Sequence, residues 1–247
     1  MRLAAVADVH IGRDSRDRVR PAVAQLSAQA DALLIAGDLT QHGDPEEARY
    51  LAEGLADVSI PMVAVLGNHD YHRDQQDAIR HIMEGVGVRV LENESVVLTI
   101  GGKRLGVAGA KGFGGGFAGA CCSDFGEPEM KAFIRTTKRT AERLEQVLKT
   151  LDCDVRIALT HYAPIEGTLM GERLEIFPFL GSYLLGEAID RGRCQLALHG
   201  HAHRGRERGV TPGGIPVRNV ARPVIQHAYR VYVIDSTAVR PELLEVA

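Results

Sequence analysis

The chain has 247 residues, 45% of them hydrophobic and 25% charged, with a formal net charge of −3; these are the proportions of a soluble globular protein with enough apolar residues for a sizeable core. A near balance of 29 basic against 32 acidic residues offers no global positive field for nucleic acid, and no apolar run reaches the roughly 18 residues that span a bilayer. The four cysteines include an adjacent pair and no zinc-thiolate spacing, which points to reduced structural thiols.

In chain order, MRLAAVADVH is too short for a signal peptide because Asp8 interrupts its apolar run. It reads as a first strand, LAAVA (3–7), and a cytoplasmic location is expected. A helix over 17–30 follows, with Pro21 tolerable only near its first turn. ALLIA (32–36) is the second strand. Asp44-Pro45 supplies an N-cap followed by proline at the first helical position, opening a helix to about Asp57. PMVAVL (61–66) is the third strand, with a helix over about 73–84. Short strands VRVL, SVVLTI and RLGVAG fill 88–108, turned at Gly101-Gly102.

Residues 109–126 form a long Gly-rich loop with Phe113, Phe117 and Phe125, a length usually tied to function or mobility. A helix over 127–151, the strand VRIALT (155–160), a loop to about 180, a helix to about 191 and QLALH (195–199) come next. GIPVRNV, YRVYVI and an extended tail close the chain. No repeat or linker divides it, so a single domain over 1–247 is expected, α/β with a mixed sheet or two packed sheets.

Each apolar strand ends in polar residues of a narrow kind. LAAVA leads to Asp8 and His10, ALLIA to Gly37-Asp38, PMVAVL to Gly67-Asn68-His69-Asp70, VRIALT to His161, and QLALH to Gly200-His201-Ala202-His203. Ligands of α/β sheets gather beyond the carboxyl ends of the strands, so five such ends form the pattern of a metal cluster. In an extended chain Asp8 and His10 leave the same face, as do His201 and His203. Gly37, Gly67 and Gly200 sit where strands turn sharply and backbone passes close to an ion. His199, at the same spacing, is placed at the strand end, behind the ligands. His42, His72, His81 and His227 have no second motif and read as surface or capping residues, and Arg13 and Arg73 as solvated side chains.

The ordered blocks DVH, GDLTQHG, GNHD, the histidine of THYAP, and GHAH resemble the signature of the calcineurin-like metallophosphoesterase superfamily. They are nearest in kind to its cyclic-nucleotide phosphodiesterase-like branch. The resemblance runs from Asp8 to His203 and implies a four-layer αββα sandwich of two mixed β-sheets flanked by helices. It also implies that Asp8, His10 and His203 hold one metal, that Asn68, His161 and His201 hold a second, and that Asp38 bridges both. His69 would face the scissile phosphate, oriented by Asp70, with Asn68 and His69 contacting substrate. GDLTQHG and GNHD depart from the protein Ser/Thr phosphatase pattern, which argues against a protein substrate.

Two divalent ions about 3.5–4 Å apart can clamp the attacking and leaving oxygens of an in-line displacement. The expected reaction is therefore attack by a metal-bound hydroxide on a phosphodiester of a small molecule, such as a cyclic nucleotide, since no Ser or Cys stands in the motif blocks as nucleophile. His69 would stabilise transition-state charge or protonate the leaving oxygen. Asp/His/Asn ligation without thiolate suits Mn²⁺, Fe or Zn²⁺, and the family resemblance leans to manganese or iron–manganese. A phosphomonoesterase, a pyrophosphatase or a nuclease would share the same metal core, and a non-catalytic metal-binding scaffold is the alternative of another class. Specificity is expected in 109–126 and 163–180. The run Gly114-Gly115-Gly116 is expected to matter more for substrate preference than for stability.

Overall fold

The computed structural model describes residues 1–234 and 244–246. Four parallel strands open the fold, β1 (Arg2–Val6), β2 (Ala32–Ala36), β3 (Met62–Val65) and β4 (Val88–Val90). The chain then crosses to a second sheet with the hairpin β5 (Glu94–Ile100) and β6 (Lys103–Ala110), turned at Gly101 and Gly102. A two-stranded ribbon, β7 (Gly116–Phe117) and β8 (Ala120–Cys121), follows. Beyond it come β9 (Val155–Thr160), β10 (Leu196–His199), β11 (Arg208–Val210) and β12 (Pro216–Asn219), and the chain returns to the first sheet as β13 (Arg230–Val233) and β14 (Leu244–Val246). The two large sheets run β14-β13-β1-β2-β3-β4 and β11-β12-β10-β9-β6-β5, both mixed.

Period-two alternation explains the layering. Leu3 and Ala5 of β1, Leu34 of β2 and Val63 of β3 point between the sheets, where they meet Val107, Ile157, Leu159 and Leu198 of the second sheet. Their neighbours Ala4, Val6, Leu33, Ile35 and Met62 point the other way, into the helices that carry Leu51, Leu55, Ile79 and Met83. On the far face, Ala108, Ala158 and Ala197 pack under the helices Pro128–Thr150 and Tyr183–Arg191 through Leu144, Leu148, Leu185 and Ile189. Helix, sheet, sheet and helix are therefore stacked, the four-layer sandwich implied by the resemblance.

Several boundaries differ from the sequence reading. The helix expected over 17–30 is a 3₁₀ turn (Arg13–Arg18) and two short helices, Val19–Val23 and Leu26–Gln29. Only Val19 and Leu26 of these pieces are buried, too little apolar anchorage to hold one continuous helix. The Gly-rich segment is not a free loop: β6 extends into it, it contains the β7–β8 ribbon, and Phe117 is buried. In the expected loop before 180 lie the turns Glu166–Leu169 and Leu174–Ile176 and the helix Phe177–Leu180. The helix opened by Asp44 keeps its predicted cap, with the Asp44 carboxylate accepting from Glu46 N–H at 2.9 Å. All but β14 of the expected extended tail lies outside the described residues.

Candidate metal centre

The carboxyl ends of β1, β2, β3, β9 and β10 meet at one edge of the sandwich, and the predicted ligands converge there. Asp8, His10, Asp38 and His203 form one group whose donor atoms all lie within 4.8 Å of one another; Asp38, His161 and His201 form a second. Asn68 joins the second group, its Oδ1 2.9 Å from His161 Nε2. His203 Nε2 is 2.8 Å from Asp8 Oδ1, and His161 Nε2 is 3.3 Å from Asp38 Oδ1.

The backbone reaches this geometry differently from the expected extended alternation. Asp8, His10, Asp38 and His201 all adopt left-handed conformations, with φ of 56°, 44°, 51° and 69°. Such conformations cost non-glycine residues of order 1–3 kcal/mol and cluster at functional sites. The first of these turns is pinned to the next strand's end, since Asp8 N–H donates to the Gly37 carbonyl at 3.0 Å and His10 N–H to the Asp38 carbonyl at 3.1 Å. The glycines serve close approach to the ligand side chains themselves. A Cβ at Gly67 would strike Asp38 Oδ1, one at Gly200 would strike Asp8 Oδ2, and one at Gly37 would lie 2.6 Å from the His161 ring.

Three observations fit the donor set to a divalent cation. Both ring nitrogens of His10 are buried without a hydrogen-bond partner, and its Nε2 lies 3.9 Å from Asp8 Oδ1 and 3.7 Å from Asp38 Oδ2. A buried polar atom left so carries a desolvation cost that a metal ligand recovers. His161 Nδ1–H donates to the Ala36 carbonyl at 2.9 Å, the backbone support typical of ligating imidazoles, and so turns Nε2 into the cluster. His201 Nε2 faces the Phe179 carbonyl at 3.3 Å, which leaves Nδ1 for the cluster. Buried carboxylates, imidazoles and one amide, without thiolate, fit a hard or borderline divalent ion.

Charge is unevenly spread. Burial alone would raise the Asp8 carboxyl, but the His203 hydrogen bond and nearby His161 hold it below its ordinary value. Asp38 is likewise held well below the usual carboxylate range, burial being outweighed by His161 and His69. Against its own burial, His161 is pulled up to about 9 by Asp38 and Asp8, whereas His201 is pushed down to about 3 by burial and by the charge of His161.

His69 stands at the rim, with its Nε2 3.9 Å from Asp38 Oδ2 and its ring centroid 4.4 Å from that of His10. The expected orienting contact from Asp70 is not the one observed. His69 Nδ1–H donates to the Gln41 carbonyl at 2.7 Å. Asp70, wholly buried, accepts instead from the N–H groups of Gly67, Leu39 and Thr40 and from the Thr40 hydroxyl, at 2.7–3.2 Å. It therefore braces the loop that carries Asp38 and Gln41, whose Gln41 carbonyl in turn holds the His69 ring. Its carboxyl is raised by burial and by Asp38, against those donors.

His199 lies outside both groups, buried and 2.9 Å from the Thr168 hydroxyl. Arg73 is tied to Asp44 at 2.5 Å, and His42 caps its turn through Glu47. Sequence reasoning missed Gln41 and Ala36, which act through backbone carbonyls. It also missed Tyr162, whose ring lies 4.4 Å from that of His201; its position directly after His161 was the available signal.

The calcineurin-like phosphoesterase family matches residues 1–205. The chain belongs to this family, whose members are hydrolases of phosphate esters. F40B5.2 of Caenorhabditis elegans, a protein assigned by name to the metallophosphoesterases, is 32% identical over 112 residues, 44% of this chain and 23% of that protein. The chain thus matches less than a quarter of the length of that curated relative. Phosphopantetheinyl hydrolase of Mycobacterium tuberculosis superposes with a TM-score of 0.69 at 16% identity, covering 96% of this chain and 97% of that one. TT1561 of Thermus thermophilus gives 0.59 at 16% identity over 100% and 99%. At such identities these two structures share the fold. No helix among the described residues is long and apolar enough to cross a membrane.

Proposed function

We propose that the chain is a dinuclear metal-dependent phosphoesterase that hydrolyses phosphodiester bonds of small molecules, cyclic nucleotides among them. The observation that carries this reading is the pair of ligand groups sharing one carboxylate, Asp38. Asp8, His10 and His203 would hold one ion, Asn68, His161 and His201 the other, and Asp38 both. Divalent Mn, Fe or Zn held there would supply Lewis acidity, polarising the phosphate and acidifying a water.

The chain's own residues do the rest. No Ser or Cys stands in the motif blocks DVH, GDLTQHG, GNHD and GHAH to serve as covalent nucleophile, so water supplies the oxygen of the new P–O bond as the ester P–O bond breaks. His69 would stabilise transition-state charge or give the leaving oxygen its proton. Nδ1 already donates to Gln41, so donation from Nε2 requires the imidazolium. Room beside the centre favours a diester over a monoester: a groove of about 490 Å³ adjoins Asp8 and His10. The test is a panel of bis-p-nitrophenyl phosphate, p-nitrophenyl phosphate and cyclic nucleotides with added Mn²⁺. Diester turnover above monoester turnover is expected, and no hydrolysis of any member would overturn the reading.

A further inference from the structure

The groove beside Asp8 and His10 contains two arginines that the proposed chemistry does not use. Arg18 ends the 3₁₀ turn after the first candidate ligands, and Arg222 opens the short helix that follows β12. The Arg222 N–H donates to the carbonyl of Ala7 at 2.9 Å, which fixes this residue beside Asp8 although 214 positions separate the two in sequence (222 − 8). Both line the groove together with Asp8, His10, Asp14 and Gln41. Gln41 is also the residue whose carbonyl holds His69, so the groove runs directly onto the candidate centre.

Neither guanidinium has a carboxylate within ion-pairing distance among the described residues, and Asp14 in the same groove pairs with neither. Arg16 pairs with Glu53 at 3.0 Å, Arg20 with Asp57 at 3.4 Å and Arg73 with Asp44 at 2.5 Å, and Arg13, on the same turn as Arg18 and without an ion pair among the described residues, does not line this groove. Arg18 and Arg222, both exposed and both lining the one groove, offer forked donors suited to phosphate oxygens. Their summed charge matches the nearly −2 charge of a terminal phosphate better than the −1 of a carboxylate.

We infer that Arg18 and Arg222 form an anion subsite that holds a second phosphate of the substrate, beside the phosphate bound at the centre. The preferred substrate is then a small phosphodiester that carries a second phosphate group, simple cyclic nucleotides with their single phosphate being weaker substrates, and this deepens the phosphoesterase reading on which it rests.

The test uses the Mn²⁺-loaded full chain and three competitive inhibitors of bis-p-nitrophenyl phosphate hydrolysis: AMP, ADP and adenosine 3′,5′-bisphosphate. The last two place the second phosphate at two spacings. In the unsubstituted protein at least one of them should bind roughly 10-fold or more tighter than AMP, the scale of a charge-assisted contact. Arg18→Ala/Arg222→Ala should bring that ratio close to unity, and Arg222→Lys alone should preserve part of it. Arg16→Ala, a paired arginine outside this groove, should leave it unchanged. A ratio near unity in the unsubstituted protein, or one that survives the double substitution, would overturn the subsite. If neither bis-p-nitrophenyl phosphate nor any other member of the panel is hydrolysed, the phosphoesterase reading is what fails. The same affinity ratios, measured by calorimetry on the same proteins, then decide the subsite by the same criteria.

Discussion

The side chains of Asp38 and His69 approach to 3.9 Å, and the His69 backbone N–H donates to Asp38 Oδ1 at 2.9 Å, yet the geometry gives the two side chains separable work. Asp38 belongs to both ligand groups, so Asp38→Asn takes a negative ligand from each and should lower metal content and activity together. His69 belongs to neither group and is held by a backbone carbonyl. His69→Ala should therefore keep its metal and lose turnover by about 10²–10⁴, the range of a positioned acid or electrostatic stabiliser. The loss should shrink for p-nitrophenolate esters if the residue donates a proton. Metal analysis beside a leaving-group series checks both variants, and metal loss in His69→Ala would show the assignment to be wrong. Asp70→Asn presents an amide N–H₂ where four donors converge, and it should destabilise the fold by about 1–3 kcal/mol, read by denaturant unfolding. The ligand side chains are legible in the sequence because Asp, His and Asn declare their chemistry by type. The carbonyls of Ala36 and Gln41 are not legible, because any residue has one. Nor does residue type announce the left-handed turns at Asp8 and His10.

At the scale of elements, the glycine run of residues 114–116 is tightly packed, which adds a stability role to the expected role in substrate preference. A Cβ at Gly114 would lie 2.6 Å from the Pro178 carbonyl, and one at Gly115 2.8 Å from Thr137 Cγ2. At Gly116, with φ of 92°, it would strike the Ala120 carbonyl inside the ribbon. The Thr137 hydroxyl of the long helix donates to the Gly114 carbonyl at 2.5 Å. The run is thus the place where three segments approach backbone to backbone, and composition alone could not distinguish this from a mobile lid. Gly116→Ala should cost at least the roughly 1–3 kcal/mol of a strained left-handed residue, seen as a lower thermal midpoint. An unchanged midpoint would return the run to the role of a loop. The strands ALLIA and VRIALT, by contrast, are legible to the residue, because buried parallel strands read as unbroken apolar runs.

For the molecule as a whole, the ligands divide between the sheets: Asp8, His10, Asp38 and Asn68 follow strands of the first, and His161, His201 and His203 follow strands of the second. An ion bound by both sets binds only the native state and stabilises it by mass action, about 2.7 kcal/mol at 100 times its dissociation constant. For a chain of this size that raises the thermal midpoint by roughly 5–11 °C. Scanning calorimetry of chelator-stripped protein with and without Mn²⁺ measures this, and an unshifted midpoint would mean that the clusters take no ion. Strand order across the two sheets was not legible, because the return of β13 to pair with β1 depends on contacts more than two hundred residues apart.

The same division between sheets makes the centre a checkpoint of assembly. Asp8 meets His203, and Asp38 meets His161, only across the interface that closes when the two sheets dock. A growing chain has no such site until residue 203 has emerged and both halves have come together. Cation uptake then marks the completed protein, and a chain halted earlier carries isolated strand ends with no claim on the metal.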